Sequence, residues 1–152
     1  MNRIALIALG CLIATALLAV GATSMPGTTA AQPAVPDKHR IVFEVTAEGQ
    51  EQWEAVLNNV ENVRVSLGPA TQVEVVMHGK ALGMVMATNT GQLDRMRKLS
   101  DAGVVFAACE NTMKRKNVSK DQLLPFAVTV DSGVAEVVRK QEKGWSYIKS
   151  GS

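Results

Sequence analysis

Aromatic side chains are scarce in this 152-residue chain, at 4% of its residues. Proteins that hold single-stranded nucleic acid stack successive bases on aromatic platforms, so that class of partner is disfavoured. The charge balance works in the same direction. Sixteen Lys and Arg against fourteen Asp and Glu leave a formal charge of +2, which gives no whole-domain pull toward a polyanion or a membrane surface. With two cysteines and two scattered histidines, the ligand set of a zinc site is missing. There is no Gly-x-Gly-x-x-Gly, no phosphate-binding P-loop and no Ser, His and Asp set at nucleophile-elbow spacing. Met77, Met84, Met86 and Met96 do not repeat at a ligand spacing and read as core or interface filler rather than copper ligands. The sequence therefore implies neither a metal nor a cofactor.

Charge is also nearly missing from the first twenty residues, where Arg3 alone precedes the apolar run from Ile4 to Val20. Gly21, Ala22, Thr23 and Ser24 follow. A short basic region, an apolar region and small residues make the pattern of a secretory signal. Residues 1–22 are read as that signal, with cleavage after Ala22, Ala30 or Ala31; the alternative is an uncleaved anchor. Both place the folded part outside the cytoplasm, in a periplasm or otherwise exported. Residues 23–38, rich in Ala, Thr, Pro and Gly without an apolar period, read as a flexible linker. The ordered domain is expected over 39–150. Cys11 lies within the apolar run, and Ala8-Leu9-Gly10-Cys11 fits a lipoprotein box poorly. Cleavage removes Cys11 and leaves Cys109 without an intramolecular disulfide partner.

The domain alternates apolar strands with helical periods. Ile41–Val45, Val73–Met77, Val104–Ala108 and Phe126–Val130 read as strands, with Trp145–Ile148 a short fifth. Trp53, Val56, Leu57, Val60 and Val63 fall on one helix face, as do Leu93, Met96 and Leu99 in a helix capped by Asn89 or Thr90. Val134, Val137 and Val138 mark another face, capped by Asp131 or Ser132 and ended at Gly144. Ala81–Met86 is either a short helix or a continuation of the strand, and Ser119 to Gln122 reads as a capping box. This alternation predicts a single-domain α/β fold, a three-layer sandwich around a mainly parallel sheet of about five strands.

Ligands of such sheets bind beyond the carboxyl ends of the strands. Three of those ends carry polar, chemically capable residues: His78-Gly79, Cys109-Glu110-Asn111-Thr112 and Asp131-Ser132-Gly133. Cys109 stands where a strand passes into a helical turn, so backbone N–H groups of 110–112 and the nearby Lys114, Arg115 and Lys116 favour its thiolate, while Glu110 opposes it. The other reading of Cys109 is a small buried core residue. His78 either assists that thiol or serves the turn before Gly79 structurally.

Several of these segments resemble one family. Val75-Val76-Met77-His78-Gly79, the run Gly103-Val104-Val105-Phe106-Ala107-Ala108-Cys109-Glu110-Asn111-Thr112-Met113, Leu123-Leu124-Pro125, Val130–Glu136 and Gln141–Lys149 are similar, in order, to segments of DsrE/DsrF-like proteins. The resemblance implies an α/β fold with a mostly parallel sheet and homo-oligomers, often trimers or hexamers. It also implies a strand-end cysteine that accepts sulfane sulfur as a persulfide and passes it on. Cys109 takes that position, with His78 beside it as the second catalytic candidate and Gly79, Glu110, Asn111, Thr112, Ser132 and Gly133 as binding candidates. The expected function is that of a periplasmic sulfur carrier or sulfurtransferase-like protein. A sulfane-sulfur donor and an acceptor thiol or protein are its expected partners; nucleic acid is not, nor is any membrane beyond the signal segment. The alternatives are a non-catalytic binding or assembly module with Cys109 packed, and a redox sensor acting through an intermolecular Cys109 disulfide.

Overall fold

The computed structural model describes residues 38–150; the signal assigned to 1–22 and nearly all of the linker lie outside them. Five strands, β1 (Arg40–Val45), β2 (Gln72–Met77), β3 (Val105–Cys109), β4 (Val128–Val130) and β5 (Ser146–Ser150), form one sheet in the order β4-β3-β2-β1-β5. Every pairing is parallel. Val42 pairs with Glu74 and with Tyr147, Val76 with Ala107, and Cys109 with Val130. The helices are α1 (Gln50–Leu67), α2 (Leu93–Asp101), α3 (Glu110–Lys116) and α4 (Gly133–Glu142), with 3₁₀ segments at Gly79–Val85 and Lys120–Gln122.

Successive side chains of a strand point to opposite faces, and here the two faces are covered unequally. Ile41, Phe43, Val45, Val73, Val75, Met77, Phe106 and Ala108 face a large core built with Trp53, Val56, Leu57 and Val60 of α1, Met96 and Leu99 of α2, and the Gly79–Val85 segment. Val42, Val76 and Ala107 face α4, which contributes Val137. Helices on both faces of a parallel sheet make the three-layer α/β fold, as expected.

Four local expectations change. Ala81–Met86 falls largely within the 3₁₀ segment, and its end at Met86 makes an antiparallel bridge to Leu123. The fourth strand shortens to Val128–Val130, because Ala127 N–H donates to Leu124 O at 2.9 Å and draws the preceding residues into a turn. Phe126 instead packs edge-on against Phe106, centroids 6.0 Å apart. Asn89 does not cap α2, whose preceding residue is Gln92; it is buried, donating to Met84 O at 2.8 Å and accepting from Gln50 Nε2 at 3.0 Å. Of the α4 valines on the expected face only Val137 is buried, and Val134 and Val138 are exposed, since the narrow apolar strip beneath the helix takes one of these side chains.

A carboxylate lies buried under α4. Glu74 of β2 is 4% exposed and accepts from Lys140 Nζ, which also lies 4.3 Å from the centroid of Trp145. Burial pushes the Glu74 carboxyl above its ordinary range despite the Lys140 contact. Among the described residues, no group of three or more His, Cys, Asp or Glu stands close enough to hold a metal ion, and no helix is long and apolar enough to cross a membrane.

Candidate functional site

The same alternation that builds the α4-covered face carries it into a site. Two residues beyond Val76 comes His78; two beyond Ala107 comes Cys109; two beyond Val42 comes Glu44. All three arrive at the carboxyl edge of the sheet on the face that α4 only partly covers. There a cleft of about 500 Å³ is lined by His78, Cys109, Asn111, Thr112, Lys114, Arg115, Ser132 and Val134.

Cys109 forms its floor, 4% exposed and unpaired in any disulfide. Burial alone would push its thiol up. Hydrogen bonds outweigh that: first from the Thr112 hydroxyl, then from the backbone N–H groups of Gly133, Thr112 and Asn111, and together they hold the thiol below its ordinary value. The Asn111 N–H is shared, since it also donates to Asp131 O at 3.2 Å. Thr112 is itself 1% exposed, and its oxygen accepts from Gly79 N at 3.0 Å and from Arg115 Nη2 at 3.4 Å. With both acceptor directions engaged, its proton is directed to the sulfur. Gly79 can aim its N–H this way because it adopts φ +62°, a left-handed conformation that costs glycine little.

Thr112→Val keeps the shape of the side chain and removes the hydroxyl. A hydrogen bond to a charged group contributes about 1.5 kcal/mol or more, so alkylation of Cys109 at pH 7 should slow about tenfold, with a pH profile displaced toward alkaline values. An unchanged iodoacetamide rate would show that Thr112 does not stabilise the thiolate.

His78 is held from behind. Its Nε2–H donates to Glu44 Oε1 at 2.8 Å, and Tyr147 on β5 donates to the other oxygen of Glu44. Burial raises the Glu44 pKa, but the hydrogen bonds from Tyr147 and His78 and the charge of Lys149 outweigh it, so Glu44 stays an anion that only accepts. The same contact pushes the Tyr147 hydroxyl up to about 12. Nε2 of His78 therefore carries a proton, and the ring is fixed beside Cys109. Gly133, first residue of α4, packs against both: a Cβ built there would lie 3.0 Å from His78 Cβ and 3.3 Å from Cys109 Cβ. Ser132 caps α4, its Oγ accepting from Ala135 N at 3.4 Å, which leaves its proton free to face the cleft.

Of the residues singled out by sequence, His78, Cys109, Asn111, Thr112 and Ser132 line one cleft, with Gly79 and Gly133 supporting it from behind. Glu110 stands apart. Its carboxylate accepts from Thr129 Oγ1 at 2.8 Å and pairs with Lys120 at 3.5 Å, away from the lining. Sequence reasoning misses Glu44 and Tyr147. The one signal for Glu44 is a lone acid inside an otherwise apolar strand, Ile41-Val42-Phe43-Glu44-Val45.

The family model of the DsrE/DsrF-like proteins matches residues 37–150. Among solved structures, the chain is similar to a protein of unknown function, MTH1491, from Methanobacterium thermoautotrophicum, at 29% identity and a TM-score of 0.69, over 73% of this chain and 98% of that one. It also shares its fold with the ychN protein from E. coli, at 10% identity and a TM-score of 0.61, over 74% of this chain and 98% of that one. No curated protein matches it. The match over the whole described region settles the family: this chain belongs to the DsrE/DsrF-like family.

Proposed function

We propose that the protein is an exported sulfur carrier in which Cys109 holds sulfane sulfur as a persulfide. The observation that carries this reading is a cysteine thiol at the floor of an open cleft, held below its ordinary pKa by Thr112 and by backbone N–H groups. A thiolate is the attacking species in sulfur exchange. It would attack the sulfane sulfur of a donor; the bond between that sulfur and the rest of the donor breaks, and the leaving group departs with the electron pair. The resulting Cys109 persulfide anion takes up the same N–H and O–H donors. An acceptor thiolate then attacks the outer sulfur and regenerates the Cys109 thiolate. His78, whose Nε2–H is engaged by Glu44, offers its other ring nitrogen as an acceptor for the Cys109 proton, which it can then pass to the departing group.

Two further expectations belong to this proposal. The signal-like start of the sequence supports a periplasmic or otherwise exported location. Assembly of identical chains is supported by apolar side chains left open on and beside the α4 face: Val105, Val128, Val134 and Val138 are all more than a third exposed.

The test is mass spectrometry of the intact protein after exposure to inorganic polysulfide. The wild type should gain the mass of sulfur, reversibly by a reducing thiol, and Cys109→Ser should gain none. A wild type that gains nothing, or a Cys109→Ser protein that gains as much, overturns the proposal.

A further inference from the structure

The cleft above Cys109 has a lining of one sign. Two cationic side chains, Lys114 and Arg115, stand on its wall, and no carboxylate is among its lining residues. The acids of the neighbourhood are all engaged elsewhere. Glu44 is bound behind His78 by His78 and Tyr147, Glu110 by Thr129 and Lys120 with the charge of Lys114 acting on it without a direct contact, and Asp131 by Arg139 at 2.7 Å. No salt bridge among the described residues uses Lys114 or Arg115. Besides those two charges, the wall offers the amide of Asn111 and the hydroxyl of Ser132, and one apolar residue, Val134. A cleft with cations and neutral donors around a nucleophile, and no acceptor of charge, is suited to an anion that brings its own oxygens.

We infer that the donor for this site is a small sulfane-sulfur anion whose leaving group is an oxyanion, thiosulfate being the simplest member of the class. The inference rests on the proposed carrier role of Cys109 and adds to it the identity of the leaving group. The Cys109 thiolate attacks the outer sulfur of thiosulfate, the sulfur–sulfur bond breaks, and its electron pair leaves with sulfite. One thiolate and one thiosulfate dianion become one persulfide anion and one sulfite dianion, so charge and electrons balance without a redox partner. The task of Lys114 and Arg115 is to offset the repulsion between an anionic nucleophile and a dianionic donor and to hold the sulfonate oxygens as charge moves onto them. Asn111 and Ser132 supply uncharged donors to the same group.

The experiment compares three reagents on the full chain carrying Cys11→Ser, so that Cys109 is the one thiol read. Thiosulfate reads donor recognition through the mass of the sulfur-loaded protein and the sulfite released. Iodoacetamide, which is uncharged, reads the thiolate alone. Polysulfide reads the carrier function. Wild type should load from thiosulfate and release sulfite in equal amount, and unreactive sulfate should slow that loading by competition. Lys114→Gln should lower the thiosulfate rate about tenfold relative to its own iodoacetamide rate, and Arg115→Gln should do the same. Because Arg115 also touches Thr112, only that ratio is diagnostic for it. Raising the salt concentration should depress the thiosulfate rate and leave iodoacetamide alkylation nearly unchanged. If polysulfide loads Cys109 and thiosulfate does not, the inference is overturned and the carrier role stands. The same holds if both variants keep the wild-type ratio. If neither donor loads Cys109, both fall.

Discussion

Lys140→Met should cost the domain about 3 kcal/mol at neutral pH, the low end of the range for removing one partner of a buried ion pair. Glu74 sits in the second strand under α4, nearly without solvent, and among the described residues Lys140 is its one hydrogen-bonded cation. The methionine can replace the stem of the lysine but leaves the carboxylate desolvated and unpaired. It also loses the contact with the Trp145 ring. The low end applies because Lys140 retains some exposure, 17% of its side chain, so water reaches the vacated position.

The pH dependence has a definite sign. Burial already raises the folded-state pKa of Glu74 above its ordinary 4.5, so the folded protein favours the protonated form and loses stability as pH rises from the unfolded to the folded value. Without Lys140 the folded value rises further and that window widens upward. The penalty of Lys140→Met should therefore be largest at pH 7 and shrink as pH falls through the raised folded value, reaching its least by the ordinary 4.5. Urea unfolding at the two pH values measures it. Adding Glu74→Gln should recover most of the loss at pH 7, because a neutral amide carries no charge to desolvate. A penalty independent of pH would mean that packing, rather than charge, is what Lys140 supplies.

The second large effect is expected at Gly133. Its position is crowded by the β-carbons of His78 and Cys109, which are tied to the backbone and cannot turn aside as a side-chain tip would. Gly133→Val places a branched side chain between them, and overpacking of this kind costs about 2–3 kcal/mol. Gly133→Ala should cost nearer 1 kcal/mol, since alanine recovers part of the strain through its better helix propensity. The chemical consequence is separable from the stability loss. Moving the Gly133 N–H away from the sulfur removes one of the donors that lower the thiol. Cys109 in the folded valine variant should therefore alkylate more slowly at pH 7 and show a pH profile displaced upward. Measured below the unfolding transition, an unchanged profile would show that Gly133 matters for packing alone.

These two positions also show what the sequence reveals and where it stops. The three central strands are legible because each is a short apolar run between turn signals, and a parallel sheet buried on both faces demands such runs. Cys109 is legible as a site residue because a polar segment follows such a strand directly. The sequence pattern overextends β4 because Phe126 and Ala127 look like strand residues, while a single backbone bond to Leu124 commits them to a turn. Glu44 and Glu74 are visible only as acids in apolar strands. Their partners, Tyr147 and Lys140, lie far along the chain, and nothing local says that β5 lies beside β1 or that α4 crosses β2. Val134 and Val138 follow the helical period faithfully and still face outward, because periodicity reports which residues share a face and not how wide the opposing surface is.

The pairing of β5 with β1 bears on how the molecule comes to be folded. Ile41, near the start of the domain, meets Ser146 near its end, whereas β1 with β2 and β2 with β3 join neighbours in sequence. Contacts between distant parts of a chain carry the larger loop-closure entropy and tend to form late. Four strands can thus assemble while one edge of β1 is still bare. Because Tyr147 rides on β5, the support behind Glu44 and His78 is among the last parts of the site to arrive. The thiol and its surrounding N–H groups make no use of β5, so the nucleophile can be assembled without the strand that completes the support of the histidine beside it.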